Sequence, residues 1–378
     1  MINVFEPTYD ERENYALGKV LESRWTGRGK LVSDFESQFA KHLNVSPQNV
    51  ITTNSATEAL FQIAEYENWE KDDEILIPSI SFIAAATSVL NIGAKVIFVD
   101  VDEFSLNPTV ETLNEALTVN TKALIINHYG GMQNQIIEII EWCKENNILV
   151  IEDSACAINS KYQNTYLGTF GDYGVWSLDS MKLLSAGDGG IIYCKSKENA
   201  DSIRERIYLG LKNKTSGQQE SMTNQKWWEY DISGSHRRSI MNDITASLAL
   251  VQLSKITELV KKRNEIINYY SENLTGIGDL QYNSLTGDFR SPYFFWIQTI
   301  HRNELAKHLL HKDIYTTFRY FPLHNIPYFN HKKSLVKSEL AASKTLLLPL
   351  HANLTHLQIE KIVFEITNFF QNIKSTNY

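Results

Sequence analysis

Short apolar runs alternate with helix-like segments between about residues 50 and 210, and this alternation limits the folds open to the chain. The runs that have the length of strands are 75–78, 95–99, 123–126, 149–151 and 173–177. The segments with helical periodicity between them are 80–91, 109–117 and 134–145. Nearly continuous apolar runs are typical of strands buried on both faces of a parallel sheet. We therefore predict an α/β fold with a mostly parallel central sheet, with ligands bound at the carboxyl ends of its strands.

The rest of the chain predicts a second, smaller unit, and 378 residues are enough for two domains. Residues 242–274 read as one long amphipathic helix, and we expect the domain boundary there. This divides the chain into a large domain over 1–245 and a smaller α+β domain over 246–378. The elements expected in the smaller domain are a strand at 293–300 and helices at 302–311 and 357–370. The polar stretch 212–225 is predicted to be a mobile loop.

An aspartate and a lysine give the strongest functional signal. Asp153 closes the apolar run 150–151, and Lys182 precedes the glycine-rich turn 185–190. A carboxylate stabilises the protonated ring nitrogen of pyridoxal phosphate, and a lysine amine can form a Schiff base with its aldehyde. Lys182 is therefore the candidate for the Schiff base, and Asp153 for the partner of the ring nitrogen. We expect desolvation or a neighbouring cation to lower the pKa of Lys182 so that the amine is free to react.

A phosphate site is predicted earlier in the chain. Small polar residues, Ser55 to Thr57, follow the strand-like 50–51 and open a helical pattern. Backbone N–H groups and the macrodipole make a helix N-terminus attractive to phosphate. These residues could also be an ordinary helix cap, as Lys182 taken alone could be a surface lysine. The order of phosphate turn, acid and lysine along the chain argues against coincidence.

These pieces, with others, resemble the DegT/DnrJ/StrS family of sugar aminotransferases, which has the type I aspartate aminotransferase fold. The segments that carry the resemblance run along nearly the whole chain: 25–29, 35–36, 54–60, 78–82, 93–100, 128–131, 152–157, 177–190, 241–244, 252–253, Arg263, 319–324 and 348–350. The resemblance implies pyridoxal 5'-phosphate as cofactor, with pyridoxamine phosphate as its intermediate form. It implies phosphate contacts by Ala56, Thr57 and Ser177 and ring stacking by Phe82, while the acid and the lysine keep the roles described above.

Two positions depart from the family pattern. Cys156 stands where the family usually has a glutamine near the phenolic oxygen of the cofactor, so that contact is weakened or replaced by water. Arg238 aligns with an asparagine that, in the family, reaches across the dimer to the cofactor phosphate, and an arginine could do the same. Alternatively, His236, Arg237 and Arg238 could grip the pyrophosphate of a nucleotide substrate or lie on a solvated face.

The resemblance also implies a substrate and a partner subunit. We expect ping-pong transfer of nitrogen from L-glutamate to a nucleotide-linked keto sugar, with Arg319 and His324 near the sugar. A 4-keto-6-deoxyhexose on dTDP, GDP or UDP is favoured, feeding O-antigen or other surface glycan synthesis, and a 3-keto sugar stays open. The implied assembly is a homodimer with shared active sites. Lys182 counts against a sugar dehydratase on the same scaffold, since a histidine replaces the lysine there, and the intact acid and lysine count against a non-enzymatic sensor.

Overall composition fits an enzyme of this kind in the cytoplasm. The formal net charge is −8, which speaks against general binding of nucleic acid. Three cysteines without paired spacing predict reduced thiols, and no segment reads as a signal peptide or a membrane span. His308 and His311 lie one helical turn apart, but with only Asp313 nearby they do not predict a metal site.

Overall fold

The computed structural model describes residues 1–133, 135–212, 230–282 and 291–376. Its α-helices are α1 Glu11–Glu22, α2 Lys30–Leu43, α3 Ala56–Glu67, α4 Ile83–Asn91, α5 Val110–Asn114, α6 Ile136–Glu145, α7 Lys197–Arg206, α8 Asp243–Ser254, α9 Ile256–Leu274, α10 Arg302–His311, α11 Val336–Lys344 and α12 His356–Thr376. Its strands are β1 Val50–Thr53, β2 Glu74–Pro78, β3 Lys95–Val99, β4 Thr121–Asn127, β5 Leu149–Asp153, β6 Lys161–Tyr162, β7 Thr165–Tyr166, β8 Tyr173–Ser177, β9 Gly190–Cys194, β10 Gln281–Tyr282, β11 Phe295–Gln298 and β12 Thr345–Leu348.

Seven strands form the central sheet in the order β1-β9-β8-β5-β4-β2-β3. β9 runs antiparallel to β1 and β8, while the pairs from β8 to β3 are all parallel. The predicted α/β class with a mostly parallel sheet is therefore confirmed. Each of the five predicted strands is present, some of them one to three residues longer than predicted.

Helices cover both faces of this sheet, because its strands are apolar on both sides. In β9, Ile192 packs into a cluster with residues of α3, α4 and α7, whereas its neighbour Ile191 packs with α2 and α8. In β8, Val175 and Trp176 divide between the same two clusters. Alternate residues of one strand point to opposite faces, so the large unit has three layers.

A second, smaller α+β unit follows. Its sheet has the order β10-β11-β12 and is antiparallel throughout. Side chains of α9, α10 and α12 pack on it in a separate apolar cluster that includes Tyr270, Ile297, Leu309, Leu348 and Ile366.

The predicted single helix over 242–274 is two helices, with a break at Lys255. The Lys255 side chain is buried, and its Nζ lies 2.5 Å from Glu13 Oε1 and 3.2 Å from Asp10 Oδ2. Asp10 is the N-cap of α1 and Glu13 lies in its first turn. The Lys255 ammonium therefore binds the break between α8 and α9 to the N-terminus of α1. The predicted boundary between residues 245 and 246 stays a prediction.

Two further findings concern predicted segments. Helix α4 begins three residues later than predicted, because Phe82 has extended backbone angles and precedes the first helical turn. The predicted mobile loop lies outside the described residues except for Lys212. In the described part of the chain, no helix is both long enough and apolar enough to span a membrane.

Candidate active site

A cavity of about 290 Å³ opens at the carboxyl ends of the parallel strands. Nine of the residues proposed from the sequence line it: Ser55, Ala56, Thr57, Phe82, Asp153, Cys156, Ser177, Lys182 and Arg319. They come from five separate segments of the chain. The carboxyl ends of β1, β5 and β8 meet at one edge of the sheet, so residues distant in sequence converge there.

Asp153 ends β5, is buried and lines the cavity. One of its carboxylate oxygens, Oδ1, accepts a hydrogen bond from the Ala155 N–H at 3.1 Å. Burial raises the pKa of Asp153, and the nearby positive charge of Lys182 offsets part of that rise. A second cation beside Asp153 would therefore stabilise its ionised form further.

Lys182 follows β8 and faces the same cavity. Its Nζ lies 3.6 Å from Cys156 Sγ and 4.7 Å from the centre of the Tyr293 ring. Burial lowers the pKa of Lys182, as the sequence predicts, but the acidic side chains around it, Cys156 first and Asp153 among them, raise this pKa well above the ordinary lysine value. Lys182 is therefore an ammonium in these surroundings, and the lowering of its pKa by a neighbouring pyridinium stays a prediction.

The N-terminus of α3 forms another wall of the cavity. Ser55 caps this helix, and its Oγ accepts the Glu58 N–H at 3.1 Å. Ser55 is therefore a helix cap, as the ordinary reading of the sequence has it. The N–H groups of Ala56 and Thr57 belong to the first turn and have no acceptor inside the helix. They leave two donors and the positive end of the helix dipole on the cavity side.

Ser177 lies beside this turn because of the sheet register. Gly190, at the start of β9, pairs with Thr53 of β1 on one side and Ser177 of β8 on the other. A Cβ on Gly190 would lie 2.4 Å from the carbonyl carbon and oxygen of Ser55. The absence of a side chain at this position lets the first turn of α3 approach the sheet.

Phe82 is the residue just before α4, and it lines the cavity with 45% of its surface exposed. Its ring centre lies 5.7 Å from that of Tyr320, with the planes tilted by 55°. An exposed aromatic side chain on a cavity wall has a face free for a planar ligand. This fits the predicted stacking role.

Sequence reasoning missed several residues of the cavity wall, among them Asn127, His128 and Tyr320. Asn127 ends β4 and donates to the Ile80 carbonyl at 3.0 Å, while its buried Oδ1 has no hydrogen-bond partner in the described structure. His128 Nε2 lies 2.8 Å from Glu152 Oε2. The signal that could have found the first two is their place at the carboxyl end of a predicted central strand.

Glu152 shows how His128 is held. Its carboxylate accepts N–H groups of Gly168, Phe170 and Gly171 at 2.6 to 2.7 Å. Both oxygens of this carboxylate act as acceptors, so His128 Nε2 donates the remaining hydrogen bond. Side chains alternate along a strand, and Glu152 therefore points away from the cavity that Asp153 faces.

His236, Arg237 and Arg238 do not line the cavity of their own chain. Arg237 is bound to two carboxylates of α3, at 3.0 Å from Glu58 Oε1 and 2.7 Å from Glu65 Oε1. Its charge is already paired, which disfavours a phosphate contact by Arg237. Arg238 is exposed, with its guanidinium carbon 5.7 Å from the centre of the Tyr208 ring. A role across a dimer stays a prediction for Arg238, and a contact with the pyrophosphate of a nucleotide substrate stays a prediction for His236 and Arg238.

His324 is also absent from the cavity wall, although Arg319 of the same motif lines it. Its ring is buried, with Nδ1 2.6 Å from Ser79 Oγ and Nε2 3.0 Å from Glu339 Oε1. The Leu323 N–H also donates to the Ser79 carbonyl at 2.8 Å. Both ring nitrogens have partners within the chain, which disfavours the expected contact between His324 and the substrate. It joins the segment that carries Phe82 to the segment that carries Arg319.

A metal-binding cluster of three or more histidine, cysteine, aspartate or glutamate side chains does not occur within the described ranges. Of the histidines weighed from the sequence, His308 has its Nε2 3.1 Å from Glu365 Oε2.

An acid and a lysine facing each other at the carboxyl ends of a mostly parallel sheet, beside a helix N-terminus, define an aminotransferase of the type I fold. The solved structure of the aminotransferase TlmJ from Streptoalloteichus hindustanus matches this fold with a TM-score of 0.93 and 38% identity, covering 99% of this chain and 100% of that one. The chain belongs to the DegT/DnrJ/EryC1/StrS aminotransferase family, whose model matches residues 7–367. The resemblance stated from the sequence is thereby confirmed.

Two characterised relatives match over almost their whole length. The dTDP-4-dehydro-2,3,6-trideoxy-D-glucose 4-aminotransferase of Saccharopolyspora spinosa is 38% identical over 97% of this chain and 96% of its own. GDP-perosamine synthase of Vibrio cholerae is 27% identical over 99% of this chain and 100% of its own.

Proposed function

We propose that this protein transfers an amino group to a nucleotide-linked keto sugar, with pyridoxal phosphate as cofactor and L-glutamate as amino donor. The observation that carries the proposal is the cavity itself, in which Asp153, Lys182 and the N-terminus of α3 share one space. The family and both relatives support an amino sugar product. The relative with the higher identity is named for transfer at position 4, which favours a 4-keto sugar.

The residues of the cavity fit pyridoxal phosphate by their chemistry. The unpaired first-turn N–H groups of Ala56 and Thr57, with Ser177 beside them, would hold the phosphate. The exposed ring of Phe82 would cover one face of the pyridine ring, and the Asp153 carboxylate would pair with its protonated nitrogen. When bound, the cofactor supplies an aldehyde that takes up the amino group and a ring that delocalises the electrons released by deprotonation.

Lys182 would supply the proton transfers of the reaction. Its Nζ reaches Cys156 Sγ and the Tyr293 ring, so it stays inside the cavity when it is a free amine. Once it has lost its own proton, the Lys182 amine can act as a general base and remove a proton from the carbon of the amino donor. It can then act as a general acid and return that proton to another atom nearby. Cationic character on the bound ring beside Asp153 would offset the carboxylate that now raises the pKa of Lys182.

Cys156 occupies the place near Lys182 that a glutamine usually takes in the family. Burial raises the pKa of its thiol, so Cys156 is neutral near pH 7 and is a weak hydrogen-bond donor. We infer that Cys156 contributes shape more than polarity to the site. Arg319 lies on the same wall, with Nη2 3.0 Å from Met181 Sδ, a weak acceptor that leaves the guanidinium available to an anionic substrate.

A first experiment tests cofactor and lysine together. Protein incubated with pyridoxal phosphate should become yellow, and borohydride reduction followed by mass spectrometry should place the label on Lys182. Lys182→Ala should take up no covalent label, whereas Lys122→Ala, a change at an exposed lysine, should behave as wild type. Asp153→Asn should still be labelled but should bind the cofactor more weakly. A colourless wild type with excess pyridoxal phosphate would refute the assignment.

A second experiment tests the substrate. The pyridoxamine form is mixed with nucleotide keto sugars that differ in the nucleotide and in the position of the keto group, and return of the aldehyde form is followed by absorbance. A 4-keto sugar should react fastest. Reaction with a 3-keto sugar alone would move the assignment to position 3. If no sugar reacts while a plain keto acid does, the sugar assignment is wrong. The donor is identified in the other half-reaction, by exchanging L-glutamate for other amino acids and following the conversion of the aldehyde form to the pyridoxamine form.

A further inference from the structure

The side chain of Lys182 lies over an aromatic ring that comes from the smaller unit of the protein. Lys182 Nζ is 4.7 Å from the centre of the Tyr293 ring, within the range of a cation–π contact. Tyr293 lies just before β11 and is 1% exposed. Its hydroxyl is buried and has no hydrogen-bond partner among the described residues. The hydroxyl of a buried tyrosine usually forms a hydrogen bond. Because this one does not, we infer that Tyr293 is held in place by the contacts of its ring.

Other side chains hold the Tyr293 ring in position. Phe5, from the start of the chain, stacks on it with ring centres 5.5 Å apart and planes 15° from parallel. The ring of Phe294 also packs against it, with the ring centres of Tyr293 and Phe294 4.4 Å apart. The guanidinium of Arg319 lies over the Phe5 ring, 5.0 Å from its centre. The two stacked rings thus each carry a cation of the cavity wall.

The backbone next to Tyr293 is also fixed. Arg263 of α9 is 2% exposed, and its Nη1 donates to the Pro292 carbonyl at 3.3 Å, while its Nε has no partner in the described structure. Burial lowers the pKa of this guanidinium to about 10. A buried cation that is bound to the residue before Tyr293 restricts how far the ring can move.

We propose that the face of the Tyr293 ring is the resting place of the Lys182 ammonium, so that Tyr293 is a positioning residue for the reacting amine. The inference rests on the proposed function for its purpose, since it concerns the lysine that would bond the cofactor. Its physical content is independent of the cofactor. The ring favours the charged amine by its quadrupole and keeps Nζ pointed into the cavity.

The groups that face Lys182 Nζ are Cys156, Tyr293, Tyr320 and Asp153. Burial raises the pKa of both tyrosines and of the cysteine, so these three are neutral near pH 7. A neutral ring can stabilise an ammonium without forming the ion pair that a further carboxylate would make. The lysine is therefore retained in the cavity and remains free to leave the ring when an aldehyde is present.

The test measures the proton on Lys182 without using the cofactor. Cofactor-free protein is treated briefly with acetic anhydride over a range of pH, and acetylation of Lys182 is quantified by mass spectrometry. Only the neutral amine reacts, so the rate below the pKa reports the fraction of free amine. Exposed Lys122 in the same sample serves as the internal control. The variants are Tyr293→Phe, Tyr293→Leu and a series with increasingly fluorinated phenylalanine at position 293.

Fluorine withdraws electron density from the ring with little change in shape, so the series remains informative even if Tyr293→Leu does not fold. Loss of the cation–π contact should lower the pKa of Lys182 by about 0.4 to 1.5 units, which makes acetylation at a fixed pH about 2- to 30-fold faster. Tyr293→Phe should resemble wild type, and the rate should rise stepwise with fluorination. Equal rates across the fluorinated series would overturn the proposal, as would a Tyr293→Phe effect as large as that of full fluorination.

The same measurement separates this inference from the proposed function. If wild type takes up no pyridoxal phosphate but the fluorinated series shows the stepwise rise, the cofactor assignment fails and the resting place of Lys182 stands. If wild type is labelled by pyridoxal phosphate on Lys182 while the series is flat, the reverse holds.

Discussion

Replacing Gly190 with alanine should weaken cofactor binding by moving the phosphate turn away from the sheet. An ideal Cβ at this position would lie 2.4 Å from the carbonyl carbon and oxygen of Ser55 and 2.5 Å from Thr53 Oγ1. Two of these atoms belong to the backbone and cannot rotate away. Non-bonded carbon contacts lie at about 3.5 Å or more, so the turn must retreat by roughly 1 Å.

The magnitude follows from that displacement. Overpacking of this kind costs about 1 to 3 kcal/mol of folding free energy. A displacement of about 1 Å in a site that orients its ligand costs on the order of 100-fold in function, and we expect the affinity for pyridoxal phosphate to fall by about 10- to 100-fold. The N–H groups of Ala56 and Thr57 move with Ser55, so the loss should fall on the phosphate contacts.

The assay is a titration of cofactor-free protein with pyridoxal phosphate, followed by absorbance, together with urea unfolding of each variant. Gly18→Ala is the matched control, because a Cβ on Gly18 would meet no atom within 4 Å. Gly18 lies inside α1, where alanine should add about 0.5 to 1 kcal/mol of stability and leave cofactor affinity unchanged. Unchanged affinity in Gly190→Ala would show that the turn does not hold the phosphate.

Three further predictions concern stability. Glu152→Gln should cost about 3 kcal/mol in urea unfolding, because an amide cannot accept all four N–H groups now bound to the carboxylate, and a loss under about 1 kcal/mol would contradict the role of Glu152 as acceptor of all four. His324→Ala should cost about 2 to 4 kcal/mol by leaving Ser79 unpaired, while the exposed His356→Ala should change stability by less than about 0.5 kcal/mol; equal effects would refute the joining role. Burial lowers the pKa of His42, so the unfolded chain binds the extra proton and stability should fall as pH drops below about 6.5, by at most about 1.4 kcal/mol per pH unit; His42→Gln should flatten this slope, and an unchanged slope would assign it to other groups.

Much of the fold could be read from local patterns in the chain. Strands Lys95–Val99 and Tyr173–Ser177 have the bounds that the sequence predicts, because each is a short and mostly apolar run. The break at Lys255 could not be foreseen in the same way. Helical periodicity continues through it, and only the carboxylates that open α1 show why the chain turns there.

The site divides along the same line. The roles of Asp153 and Lys182 can be predicted from their positions along the sequence, because a charged residue at the end of a buried strand needs a partner. Their shared cavity, and the pairing of Arg237 with two carboxylates of α3, depend on contacts between distant segments.

The sequence by itself therefore determined the class of fold and the family, and it predicted which residues would hold the cofactor, since strand burial and residue chemistry are local properties. Tertiary structure alone decided that His324 is enclosed between Ser79 and Glu339, and that Lys182 lies over Tyr293, more than a hundred residues away in the chain. Contacts of that kind join segments that are distant in the sequence, and local periodicity cannot predict which distant segments will pack together.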